Sequence, residues 1–181
     1  MSEEHSIQLG PPEMAARAAV DQGWFHDEED VRLMGFGRGY GGMQRATEAL
    51  GDLLEPDPES DVQMFGIYED ASPVGFMWVK SYPDVHRAVQ VHTFVSKDRR
   101  GNGVFTGAFS KLMDLVFASG IYRIEAEPLR VNKAVINALR SMGFKQEGIK
   151  RSSFWMDNND YDTVLLRMLR REWKRIQKEA D

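Results

Sequence analysis

Residues 89–127 constrain the fold of this 181-residue chain more than any other stretch. Val89-Gln90-Val91-His92-Thr93-Phe94-Val95 is an aromatic and β-branched run of strand length. From Val104 to Ala118, apolar residues stand at 104, 105, 108, 109, 112, 113, 116 and 117, a helical spacing. Gly120 closes that helix, Tyr122 to Glu127 reads as a further strand, and Pro128 terminates it. A strand, a helix and a strand in this order place the two strands parallel, with a right-handed crossover. The turn that opens the helix is Arg99-Arg100-Gly101-Asn102-Gly103-Val104-Phe105-Thr106. Its glycines let backbone N–H groups close around an anion, and the helix N-terminus adds partial positive charge. By chemistry this is a phosphate cradle. It is not a Walker A loop, since no Gly-Lys-Ser/Thr follows. A plain surface turn with solvated arginines is the competing reading.

The flanking segments extend the sheet. Ser6-Ile7-Gln8-Leu9 reads as a short strand stopped by Pro11-Pro12, and Glu13 to Gln22 as a helix. Residues 35–42 read as a loop and Gln44 to Leu54 as a second helix, followed by an acidic linker with Pro56 and Pro58. Gln63 to Tyr68 and Val74 to Tyr82 form a hairpin-like pair of strands. Asn132 to Met142 is a helix closed by Gly143. Lys145 to Met156 and Tyr161 to Met168 make a final antiparallel pair around Asp157-Asn158-Asn159-Asp160. The expected fold is α/β, a mixed sheet flanked by helices, in one domain over residues 1–181.

The chain has no cysteine, which excludes disulfides, thiol catalysis and cysteine metal sites. No apolar run reaches membrane-spanning length, and the acidic N-terminus lacks the apolar stretch of a signal peptide, so no membrane partner and a cytoplasmic location are expected. The net charge is −5, with acid clusters at 27–30, 55–61 and 157–162. That balance disfavours nucleic acid. It either keeps the protein soluble or steers a cationic substrate.

One face of the central strands is unusual. In alternation, Gln90, His92 and Phe94 share a face on the first parallel strand, and Arg123, Glu125 and Glu127 share one on the second. Parallel strands inside α/β sheets are normally apolar on both faces. A wet cleft holding a general base explains the exception, as does a solvent-exposed face or a satisfied ion pair. The candidate bases are Glu127, His92 and Glu125, in no fixed order.

The order of elements, with Arg100-Gly101-Asn102-Gly103-Val104, Glu125-Ala126, Asn132, Gly143-Phe144, Glu147-Gly148 and Tyr161-Asp162-Thr163-Val164, resembles the GNAT superfamily of N-acetyltransferases, most closely the ribosomal-protein N-acetyltransferase branch. The resemblance covers roughly residues 62–173. It implies a splayed sheet, acetyl-CoA as co-substrate, and transfer of an acetyl group by direct attack of a primary amine, either a peptide N-terminus or a small molecule. A catalytically inactive acyl-CoA-binding domain of the same fold is the alternative. The family's phosphate motif, Gln/Arg-x-x-Gly-x-Gly/Ala, falls on Arg100, Gly103 and Phe105, the last bulkier than usual. By the same resemblance, pantetheine would pair with Thr93, Phe94 and Val95. The pyrophosphate would sit on the N–H groups of Arg100, Gly101, Asn102, Gly103, Val104, Phe105 and Thr106, and Asn132 would begin the helix beside it. Residues 1–60 would wall the acceptor side, and a homodimer is compatible with the branch. Where the family often has a tyrosine acid this chain has Leu139, and where the branch often has a serine it has Val135, leaving Ser141 or water as substitutes.

Three decoys are set aside. Gly37-Arg38-Gly39-Tyr40-Gly41-Gly42 matches a dinucleotide fingerprint, but no convincing strand precedes it. Asp157 to Asp162 has the composition of a calcium loop without its glycine or distal glutamate. The histidines at 5, 26, 86 and 92 lack metal-ligand spacing, so no metal is expected.

Overall fold

The structure is a computed structural model that describes residues 6–35, 39–54, 61–82 and 87–180. Seven strands form one sheet in the order β1-β2-β3-β4-β5-β7-β6. They are β1 (Ile7–Gly10), β2 (Val62–Glu69), β3 (Ser72–Ser81), β4 (Ala88–Val95), β5 (Arg123–Ala126), β6 (Lys145–Met156) and β7 (Asn159–Leu169). β4 and β5 run parallel and every other neighbouring pair is antiparallel. The α/β reading, with a mixed sheet around one parallel crossover, is borne out.

Each face of the sheet carries its own apolar cluster. On one, α4 (Val104–Ala118) and α5 (Lys133–Ser141) cover Val89, Val91, Met77, Ile124 and Met168. Phe109 is fully buried there, with ring centroids 5.4 Å from Phe105 and 5.5 Å from Phe144. On the other face, α1 (Glu13–Asp21), α2 (Glu28–Leu33) and α3 (Gly39–Leu54) close over Phe76, Phe94 and Met64, with Trp24 and Phe25 wedged between. α6 (Arg170–Ala180) follows β7, and its Trp173 donates from Nε1 to Asp114 of α4 at 2.7 Å.

Two helical features differ from expectation. α2 is a helix where only an acid cluster was read. Asp27 caps it, accepting from the backbone N–H groups of Glu29 and Asp30, and three acids fill its first turn. α3 starts at Gly39, so part of the expected 35–42 loop is helical; residues 36–38 lie outside the described residues. The β6–β7 connection is a two-residue turn. Asp157 and Asn158 have φ of 54° and 59°, values that Asp and Asn tolerate, and Met156 pairs with Asn159. That geometry accounts for the acidic, asparagine-rich segment without calcium.

Truncation of Phe109 tests the larger cluster. Phe109→Ala should cost about 3–5 kcal/mol by chemical denaturation, the range for deleting a buried aromatic ring. A loss below about 1 kcal/mol would mean that the cluster around α4 is not the stabilising core described.

Candidate functional site

The site begins where β4 and β5 part. Their ladder holds only Ala88↔Arg123, Val89↔Ile124 and Gln90↔Glu125. β4 continues for five more residues, paired with β3 on one side as far as Val95↔Gly75. Tyr82 N–H donates to Ala88 O at 3.0 Å and Ser96 N–H to Val74 O at 2.9 Å. With a two-residue period, the even-numbered residues of β4 therefore bond β3. Thr93 and Val95 turn their backbone groups toward the gap. There Val95 O accepts from Arg100 Nε at 2.9 Å. Thr93 Oγ1 is buried and has no hydrogen-bond partner among the described residues.

The strand then runs into the glycine turn. Gly101 and Gly103 adopt φ of +83° and +80°, left-handed conformations that cost other residues roughly 1–2 kcal/mol. No side-chain cap closes α4 at Gly103. The first intrahelical bond runs from Gly107 N–H to Gly103 O at 2.8 Å. The N–H groups of Gly101 through Thr106 have no acceptor among the described residues, and a Cβ on Gly101 would meet nothing within 4 Å. Free donors, a helix N-terminus and open space fit an anionic pyrophosphate. An unpaired strand edge fits the amides of a pantetheine arm. Phe105 is compatible with this arrangement, because its ring packs against the core beside Phe109.

Arg100 departs from the cradle reading. Its Nη1 donates to Asp30 Oδ1 at 2.5 Å, its Nη2 to Asp30 Oδ2 at 2.9 Å, and its backbone N–H to Lys97 O at 3.4 Å. Asn132 caps α5, accepting from Val135 N–H at 3.3 Å. Leu139 is fully buried in the core, and the Ser141 hydroxyl is spent on Ala138 O at 2.8 Å.

Glu125 shares a face with His92, as the Gln90↔Glu125 pairing requires, and the surroundings of the three candidate bases differ. Glu125 contacts Arg123 Nε and accepts from Tyr82 Oη at 3.3 Å. Burial and the Glu125 charge raise the Tyr82 pKa, so that phenol stays protonated at neutral pH. Arg123 also reaches Glu147, which Arg167 grips as well, and these two guanidinium groups hold the Glu147 carboxyl down to about 2. Satisfied ion pairs thus explain the polar face around Glu125. Glu127 lies just beyond β5 and receives both bonds of Lys150 Nζ at 2.8 Å. His92 stacks on Trp78 with centroids 4.8 Å apart. Burial, reinforced by the charge of Lys80, pushes its pKa down to about 4.

Sequence reasoning missed Lys150, Tyr82 and the partners of the first acid cluster. Asp27 contacts Lys97, Glu29 contacts Arg32, and Asp30 pairs with Arg100. These pairs answer three of that cluster's four charges and shrink the field it was expected to project. The 55–60 segment lies outside the described residues. Among the described residues no cluster of metal-ligand type occurs, and no helix is long and apolar enough to cross a membrane.

The family model of the acetyltransferase (GNAT) family matches residues 44–144. The chain belongs to the GNAT acetyltransferase family. That family is the one the motif set resembled. The chain is also 25% identical over 119 residues to the "Putative ribosomal N-acetyltransferase YdaF" of Bacillus subtilis (strain 168), and the match spans 60% of each protein's length. Among solved structures, the acetyltransferase of Salmonella typhimurium that modifies the N-terminal serine of ribosomal protein L7/L12 superposes with a TM-score of 0.74 at 12% identity, covering 91% of this chain and 95% of that one. A chimeric spermidine N-acetyltransferase from Vibrio cholerae gives 0.73 at 12% identity, covering 93% and 98%. At such identities these likenesses establish the fold.

Two measurements check the site of this family member. Gly103→Asp should weaken CoA binding at least about tenfold, roughly 1.4 kcal/mol, while Gly103→Asn, which shares its shape and its tolerance of positive φ, should bind several-fold better than the aspartate. Equal calorimetric affinities for the two variants would remove phosphate from this turn. For His92, an NMR titration of the folded protein should give a midpoint near 4. Its folded pKa lies below the unfolded value of 6.5, so its contribution to stability is complete above that value and is lost as pH falls toward 4. A midpoint at the ordinary imidazole value would contradict the partly buried, stacked placement.

Proposed function

We propose that the protein transfers an acetyl group from acetyl-CoA to a primary amine, and that the amine approaches along the face carrying His92 and Glu127. The observation that carries this reading is the parting of β4 from β5 directly ahead of a cradle of backbone N–H groups. The relatives support an amine acceptor, since the names of two neighbours specify a ribosomal-protein N-terminal serine and spermidine.

Bound acetyl-CoA would supply the electrophilic thioester; the rest of the chemistry falls to this chain. Gly101 through Thr106 would hold the pyrophosphate on their N–H groups, without the guanidinium of Arg100. The β4 edge at Thr93 and Val95 would align the reactive arm and offer donors where charge develops on the carbonyl oxygen. The acceptor ammonium must lose a proton before its nitrogen can attack. Glu127 is the best placed of the three candidates to take that proton. Glu125 is held between Arg123 and Tyr82, and an imidazole with a pKa near 4 holds a proton poorly at neutral pH. The partner of Glu127 is Lys150, half-exposed on the edge strand β6, which a cationic acceptor can displace. Alignment of amine and thioester supplies much of the rate in such a site, so the leucine at the tyrosine position does not preclude turnover.

The test is acetyl-CoA thiol release over a peptide N-terminus, a polyamine, an aminoglycoside and an amino acid. At least one should stimulate release well above the amine-free rate. Glu127→Gln should then lower kcat by about tenfold or more while CoA affinity stays near wild type. Full kcat in that variant would pass the base role to solvent. No stimulation by any amine would favour a domain that binds acyl-CoA without chemistry.

A further inference from the structure

The arginine at the head of the phosphate motif is spent on α2. All three guanidinium nitrogens of Arg100 are engaged, two on Asp30 and one on Val95 O. Asp30 is only 5% exposed, so the pair is bidentate and largely shielded on the carboxylate side. The guanidinium carbon also lies 5.5 Å from the centroid of Phe94, whose ring packs on Trp24 and Phe25. A second tie joins Lys97 to Asp27, the N-cap of α2. The far end of α2 meets the β6–β7 hairpin. Arg32 lies 5.7 Å from the Tyr161 ring, and a Cβ on Gly35 would come within 2.9 Å of Phe154. This short helix therefore spans from the cradle turn to the hairpin.

We propose that Arg100 is a positioning residue: paired with Asp30, it fixes α2 as a strut between the cofactor turn and the acceptor-side hairpin, and it does not ligate phosphate. The acceptor-side part of this proposal rests on the N-acetyltransferase reading; the strut itself does not. A six-residue helix is too short to be stable alone; Val31 anchors it in the core, and these contacts hold its two ends. Removing the pair frees α2 at the end nearest the cradle and shifts the wall that an acceptor meets. The free N–H groups of the cradle remain where they are.

Arg100→Met, Asp30→Asn and the double variant test this. Calorimetry with CoA should give affinities within about twofold of wild type for all three. Amide hydrogen exchange over residues 28–35 should quicken by about tenfold or more in each, with the double variant no faster than the worse single. With spermidine and a serine-initiated peptide as acceptor probes, KM for whichever is turned over should rise about fivefold or more while kcat changes by less than about twofold. A tenfold loss of CoA affinity in Arg100→Met but not in Asp30→Asn would make the side chain a phosphate ligand and overturn the proposal. Unchanged exchange in α2 would overturn it equally, and so would a fall in kcat at constant KM. Should Arg100→Met fail to fold, Asp30→Asn alone decides, because the amide keeps the shape of the carboxylate. If wild type turns over neither probe, the amine reading fails for those classes, while affinity and exchange still judge the strut.

Discussion

β4 and β5 share three paired positions and then separate, and the remainder of the molecule is arranged around that separation. A strand edge inside a sheet is normally satisfied by its neighbour. Among the described residues the edge beyond Gln90 is met by Arg100 at Val95 O, and Thr93 Oγ1 is buried with no hydrogen-bond partner. Such a gap costs free energy unless something ordered fills it in use. The sheet tolerates it because both flanks are strongly built. β3 pairs with β4 over seven positions, and β7 runs along β5 and on to the long β6 hairpin. The cleft is a defect held open by rigid neighbours, and the glycine turn at its mouth supplies the N–H groups that a strand edge cannot.

Charge on the polar face divides into two kinds. Arg123, Glu125, Glu147, Arg167 and Glu172 form a linked set in which each carboxylate meets at least one guanidinium. These are structural groups, and Arg123 and Arg167 together hold the Glu147 carboxyl below the usual carboxylate range. Glu127 and Lys150 stand apart from that set as a single pair, with the lysine half-exposed. A carboxylate whose one cation among the described residues is half-exposed is easier to recruit for proton transfer than one fixed from two sides. The distinction is invisible in the alternation of residues and becomes visible only when β7 and β6 bring their arginines and lysine alongside.

Much of the fold was legible in the sequence because the central crossover carries several agreeing signals. The β-branched run, the paired glycines, the apolar period of α4 and the proline after β5 all point one way. α2 was not legible. Six residues cannot display a hydrophobic period, and Asp27 read as one acid among four although it is the N-cap. Of the site, the glycines carry their roles in their backbone conformation and Asn132 in its capping side chain, and residue type reveals both. Arg100 does not. Its type suits a phosphate, and only the long-range partner Asp30, seventy residues away in sequence, redirects it.

The departures from the family pattern acquire a physical meaning in the same way. Phenylalanine at the last motif position would be awkward if it faced the pyrophosphate, but position 105 is one helical turn before Phe109, and the ring turns inward to pack on it. The arginine that opens the motif likewise keeps its guanidinium out of the cradle. The free donors of the turn are backbone N–H groups, set by two left-handed glycines and the start of a helix, while Thr106 Oγ1 donates to Gly103 O. A phosphate site built from backbone donors depends on conformation more than on side-chain identity. The side chains around it are then free to take structural work: Arg100 and Lys97 pair with Asp30 and Asp27 of the α2 segment.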